Sequence, residues 1–266
     1  MSKQSRYSWN AQDYAKHSST QFEWAQELIP KLNLTGNEAL LDIGCGDGKI
    51  SAQIASFLPK GYVVGIDNSD EMINLAHHNF PRSRFPNLSF LKMDAQQLTF
   101  KEQFDRVFSN AALHWIIDHR PMLAGVKQSL KHDGKLLFQM GGKGNAHDIL
   151  KVLDELVKDN HWRRFFEGFT FPYGFYEPNE YRAWLREAGL KPERVELITK
   201  NMKLNKESLA GWIRTTWLPY TQKIPNALQN MFITEIIDRY IEKHPADSSG
   251  TIHIAMVRLE VEACRP

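Results

Sequence analysis

The sequence predicts a doubly wound α/β fold, a mostly parallel sheet with helices on both faces. Three observations carry that prediction. Short apolar runs alternate five times with amphipathic helical segments between residues 40 and 140, the rhythm of parallel strands joined by right-handed helical crossovers. A turn holding Gly44, Gly46 and Gly48 follows the first of these runs directly. Polar residues close the first four runs, on the edge where open parallel sheets bind their ligands.

Each element has its own warrant. Residues 7 to 34 carry Trp9, Tyr14, Phe22, Trp24, Leu28 and Ile29, too many large apolar groups for a disordered tail, so one or two helices pack on the body as a lid over residues 1–34. Leu40-Leu41-Asp42-Ile43 reads as a buried strand, and Ile50, Ile54, Phe57 and Leu58 recur at helical spacing until Pro59-Lys60-Gly61 stops them. Tyr62 to Ile66 is a second strand ending in Asp67, and Asn68 or Ser69 caps a helix with Met72, Ile73 and Ala76 on its apolar side. The third strand runs from Asn87 to Met93 and ends at Asp94; the fourth runs from Phe104 to Asn110. Met122, Leu123, Val126 and Leu130 mark a helix, His132-Asp133-Gly134 a turn, and Lys135 to Met140 a fifth strand.

Beyond Gly141-Gly142 the rhythm changes. An amphipathic helix around Ile149 to Val157 leads into a dense run of rings from Trp162 to Tyr176, broken by prolines and glycines. Glu177 to Ala188 is a helix closed by Gly189, and Glu193 to Lys200 alternates like a strand. Leu209, Trp212, Ile213 and Trp217 form a helix that Pro219 breaks, Leu228 to Tyr240 form a long one, and Thr251 to Val261 is a final strand. Segments 143–188 and 204–247 therefore read as a helical cap, inserted in a single domain of residues 1–266 that also takes strands from 189–203 and 250–262.

Composition narrows the function classes. The 266 residues are 42% hydrophobic, enough for a sizeable core. Lys and Arg number 33 against 31 Asp and Glu, and without a basic excess or stripe nucleic acid is disfavoured as a partner. Two cysteines, Cys45 and Cys264, make neither a disulfide framework nor a cysteine-rich zinc site. No His-x-x-x-His pair or acidic cluster has ligand spacing, so no metal is expected. The polar start of the chain lacks the apolar core of a secretory signal, and no stretch approaches the ~20 apolar residues of a membrane span. A soluble, cytoplasmic protein is expected, with no membrane partner, as a monomer or weak homodimer.

The glycine turn and the strand ends specify the ligand. Glycine lets a ligand lie against the main chain and allows positive φ, and the free N–H groups of the next helix face the same space. Asp67 follows Gly48 at about the 20 residues from which an acidic group reaches ribose hydroxyls. Gly44, Gly46 and Gly48 read G-x-G-x-G rather than the dinucleotide pattern G-x-G-x-x-G, and Asp42 precedes them. Over residues 40 to 140 the chain resembles the class I methyltransferases that use S-adenosylmethionine. The resemblance implies a seven-stranded Rossmann-like sheet with the last strand antiparallel, residues 35–142 being the cofactor-binding core. It places Asp42, Gly44, Cys45, Gly46 and Gly48 at the cofactor loop, with Gly44 and Gly46 against the methionine and ribose. Asp67 then meets the ribose, Asp94 and the backbone of Ala95 the adenine edge, Met72 the adenine face, and Asn68, Asn110 and Tyr14 complete the cofactor site. A sulfonium cofactor has no phosphate, so an acid such as Asp42 near the loop is favourable.

A finer resemblance rests on Ser109-Asn110-Ala111-Ala112-Leu113-His114-Trp115 with Asp118-His119, on Trp9 to Tyr14, and on Gly211 to Tyr220. These stretches are similar to the trans-aconitate methyltransferase group and its malonyl carrier-protein relatives, in which the leader caps the cofactor and the late segments cover the acceptor. Trp217 departs from that pattern, standing where a small residue is expected, and a ring there reshapes the acceptor pocket. A small, carboxylate-bearing acceptor is expected, methylated on oxygen. Arg163, Arg164 and Arg214, among aromatic rings, are the expected carboxylate anchors, with Trp9, Trp115, Trp217 and Tyr220 as walls. Tyr7, Trp9 and Tyr14 are rivals for lining the mouth. His114, just past the fourth strand, is the expected general base if the acceptor is an amine, phenol or carbon acid. Two readings compete: a nicotinamide-dependent oxidoreductase, against which the glycine spacing speaks, and a binding module that keeps the cofactor pocket but transfers nothing.

Overall fold

A computed structural model describes residues 9–17 and 19–266, apart from the side chains of residues 14, 15, 17, 19 and 20. Tyr7 and the Tyr14 side chain therefore lie outside the described residues. The leader forms two helices, α1 (Ala11–His17) and α2 (Ser19–Leu28). The alternating region follows as β1 (Ala39–Ile43), α3 (Lys49–Ser56), β2 (Tyr62–Asp67), α4 (Asp70–Asn79), β3 (Leu88–Lys92), β4 (Phe104–Asn110), α5 (Arg120–Ser129) and β5 (Leu130–Gly141). The last third gives α6 (His147–Lys158), α7 (Pro178–Glu187), β6 (Lys191–Leu204), α8 (Lys206–Thr216), α9 (Leu218–Thr221), α10 (Asn226–Lys243) and β7 (Ile252–Cys264).

The seven strands form one sheet in the order β3-β2-β1-β4-β5-β7-β6. β7 pairs antiparallel with both β5 and β6, and the other pairings are parallel. Successive side chains of a strand point to opposite faces, and β1 uses both. Leu40 packs with Leu28, Ile54 and Phe90 on one side, and Leu41 packs with Phe104, Met122 and Leu123 on the other. A strand buried on both faces has to read as a continuous apolar run, as Leu40 to Ile43 does.

Three differences from the sequence reading have local causes. The turn at His132-Asp133-Gly134 lies inside β5 as an irregularity, with Asp133 at φ +61 and the pairing with β4 shifting register between Phe104 and Arg106. The helix of Leu209 to Trp217 does stop just before Pro219, as α8 ends at Thr216, but a further short helix follows in place of a loop, because Pro219 occupies the first turn of α9, where a missing N–H is harmless. The two last strands are longer than their alternation indicates. Pairing of β7 with β5 ends at Gly141↔Arg258, but pairing with β6 continues to Leu204↔Ile252, leaving a two-stranded ribbon beyond the sheet. The cap packs there: Ile254 and Met256 of the ribbon share one core with Ile149, Leu153, Trp212, Ile213, Phe232 and Ile236. No helix among the described residues is long and apolar enough to cross a membrane.

Candidate active site

Strand order reverses beside β1, where β2 lies on one side and β4 on the other. Crossovers leave in opposite directions at such a point and open a crevice beyond the carboxyl ends. The glycine turn fills the floor of this crevice. Gly44 and Gly46 have φ of +75 and +54, and both Gly44 and Cys45 donate their N–H groups to the Ile66 carbonyl at 2.8 and 3.0 Å. A Cβ on Gly44 would stand 2.2 Å from that of Ala112 in the loop after β4, whereas one on Gly46 meets nothing within 4 Å. The first glycine is thus required by the protein itself, and the second faces open space that a ligand can use.

A cavity of about 310 Å³ extends over these strand ends. At one end stand Gly44, Gly46, Asp67, Asn68, Met72, Asp94 and Ala95. Asp67, last residue of β2, accepts the N–H of Gly46 at 3.1 Å and that of Ser69 at 2.9 Å, so one carboxylate ties the glycine turn to the start of α4. Burial pushes its carboxyl above the ordinary range, with the Ser69 and Gly46 hydrogen bonds opposing. Ser69, rather than Asn68, caps α4 through the N–H of Met72, which leaves Asn68 on the cavity wall. Asn110 closes β4 and donates to the Gln21 carbonyl of α2 at 2.9 Å, while its own Oδ1 and the Gln21 Oε1 are buried without a hydrogen-bond partner.

The other end is aromatic. His114 sits on a 3₁₀ turn, Leu113–Trp115, next to Ala111, whose φ of +56 bends the chain across the cavity. His119 holds this turn from behind: its Nε2 faces the Leu113 carbonyl at 3.0 Å and its Nδ1 the Tyr181 hydroxyl at 3.0 Å. His114 is 7% exposed, and its Nδ1 has no hydrogen-bond partner. Burial, then the Arg258 charge and that of His119, hold its pKa well below the ordinary imidazole range, so it is neutral at physiological pH. Trp115 meets Trp9 and Tyr173 edge to face, each at 5.0 Å, and Trp217 lies 5.4 Å from Tyr173.

Several expected residues are not brought to the cavity. Asp42 lies beneath the turn, accepting a 2.6 Å hydrogen bond from Ser51 of α3. Burial, opposed by that bond and reinforced by the Asp67 charge, pushes its carboxyl up to about 7, so it is not the fully charged acid expected beside a sulfonium. Cys45 is buried, and its thiol is pushed up by burial and then by Asp67 and Asp42; it packs rather than reacts. Gly48 starts α3 against the Phe90 ring. Arg163 and Arg164 are exposed on a 3₁₀ turn, the latter over the Phe165 ring. Arg214 is committed elsewhere: its Nε and Nη2 donate to the Asp13 carboxylate at 2.7 and 2.8 Å. Tyr220 is buried in the cap core against Phe169. In place of these arginines stands Arg258 of β7, 3% exposed, lining the cavity with its guanidinium 5.0 Å from the Trp24 ring centre. Among the described residues no group of three or more His, Cys, Asp and Glu could hold a metal ion.

The Asp13–Arg214 pair fastens α1 to α8, next to Trp9 in the cavity wall. Asp13→Ala is expected to change stability by less than about 1 kcal/mol, since the pair is part-exposed. Hydrogen exchange across α1 should nevertheless accelerate; unchanged exchange would show that the pair does not hold the lid.

The comparisons with known proteins decide the family. A family model described as a methyltransferase domain matches residues 34–189, more than half of the chain. The chain belongs to the class I methyltransferases. Among relatives of this methyltransferase, one from Schizosaccharomyces pombe is 32% identical over 78% of this chain and 79% of its own. The trans-aconitate 2-methyltransferase of Shigella flexneri is 26% identical over 97% and 98%. The same fold is seen in an N-methyltransferase of Haemonchus contortus solved with phosphomonomethylethanolamine and S-adenosylhomocysteine, with a TM-score of 0.61, 17% identity, and 96% of this chain against 57% of that one.

Proposed function

We propose that this methyltransferase moves the methyl group of S-adenosylmethionine to a carboxylate oxygen of a small molecule. The observation that carries the reading is the single cavity in which the glycine turn and Asp67 share walls with a buried arginine. The cofactor end fits the donor in its chemistry. Asp67 offers a carboxylate to ribose hydroxyls, the unpartnered oxygens of Asn110 and Gln21 suit an ammonium, and the open space before Gly46 admits a ligand against the backbone. Met72 and the Asp94-Ala95 segment supply a flat apolar and polar edge for adenine. When bound, S-adenosylmethionine supplies an electrophilic methyl group on a positively charged sulfur.

The chain's own part is to position and to exclude water. An acceptor carboxylate oxygen forms its bond to the methyl carbon as the carbon–sulfur bond breaks, the electron pair staying on sulfur, and no proton has to leave. Opposite charges disappear in that step, so an aromatic chamber that excludes water favours it over the charged reactants. Cap segments 143–188 and 204–247 supply the walls Tyr173, Phe175, Trp212 and Trp217. Incubating the enzyme with labelled cofactor and matched acids, amines and phenols tests the reading: label should enter base-labile esters, and transfer to amines alone would refute it.

The unpartnered Nδ1 of His114 favours a second reading, in which an N- or C-acceptor gives up a proton to the imidazole. The two separate at His114 itself. The imidazole is neutral in either case, so kcat should stay flat between pH 6 and 9, and with a carboxylate acceptor His114→Gln should lower it no more than about tenfold by loss of orientation. A loss of roughly 100-fold or more in His114→Gln, with label entering amines or carbon acids, would favour the base.

A further inference from the structure

We infer that His119 is a positioning residue of the methyl transfer: together with Tyr181 of α7 it fixes the turn that carries His114 and Trp115. The inference rests on the aromatic end of the cavity receiving the acceptor, not on which atom is methylated. His119 is fully buried and does not line the cavity, so it touches no reactant and acts through the turn.

Its hydrogen bonds assign the proton on the ring. Nε2 stands 3.0 Å from the Leu113 carbonyl and 3.1 Å from that of Ile116. Carbonyl oxygens only accept, so Nε2 is the protonated nitrogen and shares its one N–H between them. Nδ1 is left as an acceptor for the Tyr181 hydroxyl at 3.0 Å, and Tyr181, itself fully buried, donates there. Burial holds the imidazole down to about 4, with the two carbonyls opposing, so the ring is neutral and keeps this pattern at physiological pH. Leu113 and Ile116 flank His114 and Trp115, and one N–H thus fixes both side chains at once.

The turn in question spans both halves of the site. Ala112 packs on Gly44 of the glycine turn so closely that no Cβ fits between them, and the Asp118 carbonyl accepts from Gln96, beside the Asp94-Ala95 pair, at 3.0 Å. Toward the aromatic end, the His114 carbonyl accepts the Gly174 N–H at 2.9 Å and the Ile117 carbonyl accepts the Tyr176 hydroxyl, which ties in the run that supplies Tyr173 and Phe175. The His119 ring meets Tyr176 at 5.0 Å and Tyr181 at 5.5 Å, both edge to face. Transfer needs the reacting atoms about 3 to 3.5 Å apart, and a misplacement of about 1 Å costs on the order of 100-fold. A pin on this turn therefore bears on the rate although it lies behind the wall.

Tyr181→Phe is the discriminating variant. The rings that Tyr181 meets among the described residues are those of His119 and Trp184, so an effect on Trp115 has to pass through His119. Nitrogen spectra of the full chain should show His119 with its proton on Nε2. In fluorotryptophan-labelled protein, with the Trp115 line assigned by Trp115→Phe, Tyr181→Phe should shift or broaden that line and leave the Trp162 line in place. The Gly174 amide should exchange at least about tenfold faster, while S-adenosylhomocysteine affinity stays within about twofold. His119→Gln, which keeps a donor for the carbonyls, should fall between the wild type and His119→Leu in each reading, and kcat for any acid that accepts label should drop about tenfold or more in His119→Leu. Should the leucine variant fail to fold, Tyr181→Phe and the wild-type spectra still decide. A proton on Nδ1, or a Tyr181→Phe protein whose Trp115 line and Gly174 amide are unchanged, overturns the inference. These readings need no acceptor, so they stand or fall apart from the carboxylate reading, which transfer to amines alone would refute.

Discussion

Gly44→Ala should unfold at a temperature about 5 to 15 °C below the wild type. Two effects add. The new Cβ would stand 2.2 Å from that of Ala112, far inside contact distance, and an L side chain would have to adopt φ +75. Left-handed strain costs about 1 kcal/mol and overpacking against a fixed loop about 1 to 3 more. Ala112→Gly in the same chain should recover the steric part and leave the backbone part, so a double-mutant cycle separates them. Gly46→Ala, by contrast, should cost only about 1 kcal/mol of stability, because nothing of the protein lies within 4 Å of its Cβ. Thermal melts of the three variants check the ranking; equal losses at Gly44 and Gly46 would contradict it.

Asp67→Ala should weaken S-adenosylhomocysteine by about 100-fold or more, the loss of two hydrogen bonds from ribose hydroxyls to a charged acceptor. Asp67 also holds the N–H groups of Gly46 and Ser69, so stability should fall by about 1 to 3 kcal/mol for donors left without a partner. Asp67→Asn keeps the size and distinguishes the two effects. The pH dependence has a defined sign. Burial raises the carboxyl of Asp67, and the protonated acid is a poorer acceptor for a diol. Cofactor affinity should therefore rise with pH through the titration of Asp67 and then level off. Affinity independent of pH and of the Asn substitution would remove Asp67 from the ribose site.

Most of the cofactor half was legible because it depends on short-range order. Gly44, Gly46, Asp67, Asp94 and Asn110 each follow a strand by fixed chain geometry, so recognising the strand locates the residue, and the structure gathers all five at one cavity. Asp42 shows the limit of that logic. It stands on the strand before the turn, where alternation aims it at α3 and Ser51 rather than at the ligand. The acceptor half depends on partners remote in sequence. Arg214 stands among aromatic residues and looks like an anion anchor until the leader folds back and presents Asp13. Arg258 gave no signal, since charged residues alternate with apolar ones along β7 and only the antiparallel insertion of that strand beside β5 brings this one to the sheet edge. Gln21 was missed for the same reason, because what α2 faces is decided by packing across the molecule.

The glycine turn, Asp67 and the crevice beside β1 are what we assign as the site for S-adenosylmethionine. Isothermal titration of the intact chain with S-adenosylhomocysteine addresses it most directly, alongside Gly46→Ala, whose added methyl group projects into the space assigned to the ligand. One site of micromolar affinity, lost in a variant that still melts within a few degrees of the wild type, is the predicted result. No binding by the wild type, or binding that Gly46→Ala leaves unchanged, would contradict the assignment.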